Sequence, residues 1–559
     1  MKKYSNNLNR YSRIITQNRE NGAAQAMLYA LGLNTHDLQK PQVGVCSMWY
    51  KGNPCNSKLN ILSNHVSNSL NKKKLLSMEF NTIGISDGIS MGTSGMNYSL
   101  PSRDLISDSI ETVVKGLHYD SLICIPGCDK NLPGSVMAMV LLDRPSFLIY
   151  GGSMRPSFLD SKNTKLDIVS AFEAYGKYIK KDISDFERQN IIENSCDKQC
   201  GSCSGFYTAN TMATIFEVMG LTLPNSSSSM SLSSEKINEC AMAGDTMYNL
   251  LKEDIRPSQI ITKKSFENAI KMLYLTGGST NAVIHLLAIA KLAKIDLTLD
   301  DFNKFKSTPI LLNMKPHGTN VMNDLYNLGG TSSFIKYLIE NNLIDDSLTI
   351  TGKTLYENVK TAKTIDKSQN VVFMKDTPFK KESHIRILKG NMAPEGCVSK
   401  ISSKIDLKLT MKAKVFNTEK SMIKSLENKN ISKNNFIIIR YQGESTGCPE
   451  MLTPTSALIG YFGDDAPPLA TDGRFSGGSH GILVCHLPDA YKKNSITSII
   501  KNNDTITLDL VNNSITLDVL DTVINDRFKK VVKPKLELEG SLSKFQKLVG
   551  GIESGYSTY

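Results

Sequence analysis

Up to about residue 360 the apolar positions fall in short unbroken runs separated by longer stretches of helical spacing; beyond it, alternation with period two takes over. Val43-Gly44-Val45-Cys46, Leu122-Ile123-Cys124-Ile125 and Phe147-Leu148-Ile149-Tyr150 read as buried strands, and another is expected from Asn81 to Ile85. Helical spacing covers Leu59 to Leu75, Pro101 to Gly116 and Ser135 to Leu142, and residues ahead of Pro41 read as a mostly helical arm. Strands alternating with helices predict an α/β domain with a largely parallel sheet. Thr276-Gly277-Gly278-Ser279-Thr280-Asn281 opens a strongly apolar helix, Ala282 to Ala293. Its free amides suit either an anion or a tightly packed cap.

Residues 361–384 are polar and charged and read as a linker. After it, Phe436 to Tyr441 reads as a short buried strand, and Thr505 to Val519 alternates about Asn512-Asn513 as a hairpin does. The expected organisation is therefore an N-terminal α/β domain over 1–365 and a β-rich domain over 366–559, a small barrel or sandwich. No internal repeat is evident.

Composition changes this picture only by exclusion. The 559 residues are 40% hydrophobic, enough for sizeable cores, and the net charge of +11 raises the question of nucleic acid. The lysines are scattered among asparagines without interleaved aromatics, and no zinc-finger, RNA-recognition or homeodomain signature is present, so no nucleic-acid partner is expected. The charge suits an anionic small molecule instead. The polar start Met1 to Asn7 has no apolar stretch of a secretory signal, and no run approaches the roughly 18–20 residues of a membrane span. Eleven cysteines in so long a chain make no disulfide scaffold. A cytoplasmic, reducing setting is expected, where clustered cysteines bind metal more often than each other.

The candidate chemistry is concentrated in turns. Gly127-Cys128-Asp129-Lys130-Asn131-Leu132-Pro133-Gly134 joins a strand to a helix, where α/β folds place their reactive groups. A thiolate suits soft iron or zinc and a carboxylate suits hard Mg²⁺ or Mn²⁺, so adjacent Cys128 and Asp129 suggest two different metals close together. Cys55 follows Pro54 in a second turn, and Cys196, Cys200 and Cys203 form a third group. Cys46, Cys124, Cys240, Cys397 and Cys485 sit in apolar runs and read as core. The Cys196/Cys200/Cys203 spacing resembles that of radical-SAM enzymes, but Ser202 stands where those carry an aromatic, and Cys55 and Cys128 would be left unexplained. Asp87, Asp129 and Glu450, all in glycine- or proline-flanked loops, are the hard-cation candidates. In Thr471-Asp472-Gly473-Arg474-Phe475-Ser476-Gly477-Gly478, Ser476 has an exposed hydroxyl and reads as nucleophile or base. Ser476 itself does not stand in a Gly-x-Ser-x-Gly elbow, since Arg474 lies two residues before it.

Five segments carry a resemblance: Asn53-Pro54-Cys55-Asn56, Ile85 to Gly92, Gly127 to Gly134, Gly201 to Met212 and Thr471 to Gly478. Together, and in order, they resemble dihydroxy-acid dehydratases, part of a wider family that includes sugar-acid and phosphogluconate dehydratases. The resemblance runs from about residue 40 to the C-terminus. It implies a [2Fe-2S] cluster on Cys55, Cys128 and Cys203, and Mg²⁺ on Asp87, Asp129 and Glu450 with a carboxylated Lys130. It also implies Ser476 as the base, a C-terminal β-barrel and a homodimer. The implied reaction is dehydration of 2,3-dihydroxy-3-methylbutanoate and 2,3-dihydroxy-3-methylpentanoate to 2-oxo acids in valine and isoleucine biosynthesis. A sugar-acid dehydratase is the alternative within the family, and a non-catalytic iron–sulfur scaffold the alternative outside it. The loop Gln442 to Met451 is about two residues shorter than the family's, a length change that loops tolerate. Glu450 is aligned by Met451 and Thr453-Pro454-Thr455. Cys448 in that loop has no role in the family.

Overall fold

A computed structural model describes residues 8–159, 164–402 and 408–559; the polar start Met1 to Asn7 lies outside the described residues. Its N-terminal sheet has four strands: β1 Gln42–Ser47, β2 Leu76–Asn81, β3 Ser121–Ile125 and β4 Ser146–Leu148, in the order β2-β1-β3-β4. All neighbouring pairs are parallel. Every residue of β1 and β3 is buried, as expected of strands covered on both faces. β2 lies upstream of its expected position, because Leu76 to Asn81 pair with Gln42 to Ser47 while Thr82 to Ser86 run on as irregular backbone. The sheet also ends at β4. Much of 153–360 is helical, with helices Thr208–Val218, Ser234–Glu253, Lys263–Thr276 and Asn281–Leu292 building the surrounding layer.

Helix Asn131–Leu142 is apolar all round because it is enclosed: ten of its residues are buried. Gly134 lets it cross helix Ser99–Gly116 closely, since a Cβ there would lie 2.6 Å from the Arg103 carbonyl oxygen. The helix stops at Asp143, which takes a left-handed conformation.

The C-terminal part forms a closed eight-strand barrel from β5 Ile385–Gly390, β6 Ala393–Ile401, β7 Lys408–Phe416, β8 Asn435–Ile439, β9 Leu469–Thr471, β10 Ile482–Cys485, β11 Thr505–Asp509 and β12 Ser514–Leu517. The closed order is β8-β9-β10-β6-β5-β12-β11-β7, mixing parallel and antiparallel pairs. Strand alternation divides the apolar residues between two cores. Phe436 and Ile438 of β8 join side chains from all eight strands in one cluster, the barrel's filling. Ile437 and Ile439 belong instead to the large core shared with the N-terminal sheet and helices. Fully burying one such side chain is worth about 1.5–3 kcal/mol, so a one-residue slip, exchanging the two faces, is strongly opposed.

Residues 361–384 are irregular, as expected of a linker, yet they are not detached. Val371 and Val372 are buried, and bridges join Leu312 to Val372 and Ile310 to Lys380. Among the described residues, no helix is long and apolar enough to cross a membrane.

Candidate active site

The chemistry-bearing turns follow neighbouring strands. The turn with Cys55 follows β1, Asp87 follows β2, and Cys128-Asp129-Lys130 follow β3, all beyond the carboxyl ends of parallel strands. Two of these loops touch: a Cβ on Gly127 would lie 2.4 Å from the Cys55 carbonyl oxygen, so only glycine lets the cysteines approach. Asn131 then fixes the turn by accepting the Cys128 N–H at 2.9 Å. The third cysteine is brought in by its own loop. Gly201 donates its N–H to the Pro54 carbonyl at 3.2 Å, Ser202 Oγ donates to the Gly127 carbonyl, and Asn210 Nδ2 donates to the Cys203 carbonyl at 2.7 Å.

One cavity results, lined by Cys55, Cys128, Cys203, Asp87, Asp129 and Ser476. The neighbouring thiols of Cys128 and Cys203, and then burial, push the Cys55 pKa well up, while Cys55 holds Cys128 low. Three converging thiols in a buried setting fit a soft metal centre. Cys196 is exposed and Cys200 does not line the cavity, so Cys203 is the member of that loop that reaches it. Cys46, Cys124, Cys240, Cys397 and Cys485 are buried, as expected of core residues.

The carboxylates form a second group. Ligand atoms of Asp87, Asp129 and Glu450 all lie within 4.8 Å of one another. Lys130 Nζ donates to Asp87 Oδ2 and Glu450 Oε1 and lies 3.9 Å from Asp129 Oδ2. Burial raises the Asp87 pKa, but the Lys130 charge and the hydrogen bonds from Lys130 and Ser99 outweigh it and hold the carboxyl low. Asp129 is pushed well up, by burial first and by the Asp87 charge next. Glu450 Oε2 is buried with no hydrogen-bond partner among the described residues. An orphaned carboxylate oxygen amid clustered carboxylates fits a divalent cation.

Ser476 reaches the cavity on a loop tied down around it. Its N–H donates to the Met451 carbonyl at 3.0 Å, and the Ser479 N–H donates to the Ser476 carbonyl at 3.0 Å. Apolar side chains complete the lining, among them Met91, Ile168, Val169, Phe172 and Leu452. A larger cavity of about 510 Å³ lies beside the barrel, lined by Glu444, His486, Asp489 and Tyr556 among others, and contains none of the candidate ligands.

Asp87, Asp129, Cys55, Cys128, Cys203 and Ser476 thus share one cavity, with Lys130 and Glu450 packed directly behind it. Three contributors escape sequence reasoning. Arg474, fully buried, donates from Nη1 to Glu450 Oε1 at 2.8 Å and to Asn281 Oδ1 at 3.0 Å, and from Nε to the Cys448 carbonyl at 2.7 Å. Asn281 passes the tie on to the Phe475 carbonyl at 3.1 Å, so the helix start read as a possible anion site is a polar joint between the two parts of the chain. Ser99 Oγ donates to Asp87 Oδ1 at 2.6 Å. For Arg474 the available signal was its place two residues before Ser476, and for Asn281 its place at the singled-out helix start; for Ser99 there was none.

Comparison with known proteins agrees with this geometry. Residues 40–358 match the model for the dihydroxy-acid/6-phosphogluconate dehydratase N-terminal region, and residues 370–556 match that for its C-terminal region. A dihydroxy-acid dehydratase of Francisella tularensis subsp. novicida is 47% identical over 558 residues, covering 99% of both chains. The mitochondrial dihydroxy-acid dehydratase of Saccharomyces cerevisiae is 46% identical over 560 residues, covering 98% of this chain and 95% of its own. That of Schizosaccharomyces pombe is also 46% identical, covering 99% of this chain and 93% of its own. The chain belongs to the dihydroxy-acid/6-phosphogluconate dehydratase family.

Proposed function

We propose that the chain is a hydro-lyase converting 2,3-dihydroxy-3-methylbutanoate and 2,3-dihydroxy-3-methylpentanoate to their 2-oxo acids, in valine and isoleucine biosynthesis. The observation that carries this reading is the cavity that three thiols, two carboxylates and Ser476 line together with apolar side chains. Cys55, Cys128 and Cys203 would hold a [2Fe-2S] cluster, and Asp87, Asp129 and Glu450 would hold Mg²⁺, with Lys130 carboxylated. When bound, the two would supply Lewis acidity, easing loss of hydroxide from C3 and stabilising the charge left at C2. Ser476 Oγ would take the proton from C2, a role a serine hydroxyl can fill only beside bound cations. Loss of that proton and of hydroxide leaves an enol, which tautomerises to the 2-oxo acid.

Lys130 as an ammonium occupies the centre of the carboxylate group and competes with a cation there. Addition of carbon dioxide to the neutral amine forms an N–C bond and releases one proton, turning a donor of positive charge into an anionic oxygen ligand. Arg474 keeps Glu450 in place. Replacing it with glutamine is expected to weaken Mg²⁺ activation about 10–100-fold, as loss of a partner behind a metal ligand usually does. A Mg²⁺ titration of turnover reads this directly, and an unmoved midpoint would show that Glu450 needs no such support.

The apolar part of the lining separates this reading from a sugar-acid dehydratase. Met91, Ile168, Val169, Phe172 and Leu452 offer no hydrogen bond to the extra hydroxyls of a sugar acid, each of which costs about 1–3 kcal/mol to bury unpaired. A substrate panel should therefore show kcat/KM for the branched dihydroxy acids at least about 30-fold above that for gluconate or arabinonate, two lost hydroxyl partners at the lower end of that cost. Equal turnover of the sugar acids would reverse the assignment.

The two functional parts are placed at 1–365 and 366–559, the second supplying Glu450 and Ser476. All eleven cysteines are unpaired, which supports a reducing compartment such as the cytoplasm. The N-terminal arm supports a homodimer: Met27 is 72% and Leu31 70% exposed, more apolar surface than a solvated helix usually shows. Light scattering at twice the chain's 61.7 kDa would establish it, and a 61.7 kDa particle would remove it.

A further inference from the structure

We propose that Lys400 is a positioning residue for the dehydration: its hydrogen bond to the Gly477 carbonyl holds the loop that presents Ser476 to the cavity. The inference rests on the assignment of Ser476 as the base.

Lys400 lies in β6, two residues beyond Val398 and on the same face, the one turned to the core shared with the N-terminal part. It is 1% exposed, and its Nζ donates to the Gly477 carbonyl at 3.0 Å. Among the described residues it has no carboxylate partner. The titratable groups around it are Cys485 and Lys380, with His317, His384 and His480 close enough for their rings to feel its charge. Burial lowers the Lys400 pKa to about 7. A buried amine without a counter-ion is costly, and methionine would fill the same space without that cost. The hydrogen bond to Gly477 is what the amine adds.

That bond closes a clamp. On its other side Gly477 is pressed against helix Thr208–Val218, where a Cβ would lie 2.5 Å from the Thr208 backbone nitrogen. Ser479 is held separately, its Oγ donating to the Met451 carbonyl at 3.1 Å. Between these fixed points the peptide joining Gly477 to Gly478 has no Cβ on either side to restrain it, so the carbonyl bond from Lys400 sets its orientation. A base displaced by about 1 Å can lose about 100-fold in rate, so a single bond at this point is enough to matter.

The test compares the holoenzymes of Lys400→Met, Lys400→Gln and Ser476→Ala. Lys400→Met is expected to lower kcat about 10–100-fold, with KM within about threefold of wild type, because the loss falls on the transition state. The isotope effect on kcat with substrate deuterated at C2 should rise as proton removal becomes limiting, while the visible absorption of the cluster stays the same. Lys400→Gln keeps an N–H donor without charge and should recover part of kcat; it also serves if the methionine variant folds poorly. Wild-type kcat in Lys400→Met, beside an inactive Ser476→Ala, overturns the inference alone. Parallel loss of kcat, substrate affinity and cluster absorption, with no recovery in Lys400→Gln, also overturns it. An active Ser476→Ala enzyme overturns the base assignment and this inference with it.

Discussion

Ser476→Ala is expected to retain the visible absorption of the iron–sulfur cluster and lose about 10²–10⁴-fold in kcat, the range a positioned general base contributes. The reason is local. The Ser476 backbone is fixed by Met451 and Ser479, so removing the hydroxyl leaves the loop in place and deletes only the proton acceptor. KM should move little, since the substrate's carboxylate and hydroxyls are held elsewhere in the cavity. Steady-state kinetics with an absorption spectrum of the same sample separate the outcomes. Turnover near wild type would remove serine from the chemistry, and loss of the spectrum would show that the loop also supports the cluster.

The second large effect concerns the thiols. Cys128→Ser is expected to abolish both cluster absorption and turnover, because a serine oxygen is a hard ligand and Cys55 and Cys203 alone leave the centre under-held. Cys196→Ser and Cys200→Ser are expected to keep both, since neither residue lines the cavity. Iron content and absorption after anaerobic purification check the set. Loss of iron in Cys196→Ser or Cys200→Ser, with iron kept in Cys128→Ser, would return the site to the three-cysteine loop.

Much of this site is legible in the sequence because its ligands lie in short turns next to strongly patterned strands. Cys55, Asp87 and Cys128 each follow an apolar or alternating run, and once the runs pair in parallel their turns must meet at one edge. Arg474, Asn281 and Lys400 are not legible in this way. Each acts through a partner between 24 and 193 residues distant, and a polar side chain in a buried stretch gives no sign of what it will bond. The same limit applies to the fold. Alternation in Thr505 to Val519 shows a hairpin, but the strand order that closes the barrel follows from pairings such as Val398 with Cys485, far apart in the chain. β2 differs: Leu76-Ser77-Met78-Glu79-Phe80-Asn81 alternates strictly and is legible as a strand, and only its pairing with β1 shows that the strand ends at Asn81 rather than continuing to Ile85. Polar composition in 361–384 likewise hides Val371 and Val372, the two residues that pin that stretch down.

The central claim is that a soft iron centre and a hard cation occupy one cavity, on different ligands of the same turns. The most direct test is diffraction from anaerobically grown crystals containing Mn²⁺ in place of Mg²⁺, with anomalous maps at the iron and manganese edges. Two iron peaks are expected against the sulfurs of Cys55, Cys128 and Cys203, and one manganese peak among Asp87, Asp129 and Glu450, with density for a carboxylate beyond the Lys130 nitrogen. Iron on Cys196 and Cys200, or manganese in a separate cavity from Cys128, would contradict it.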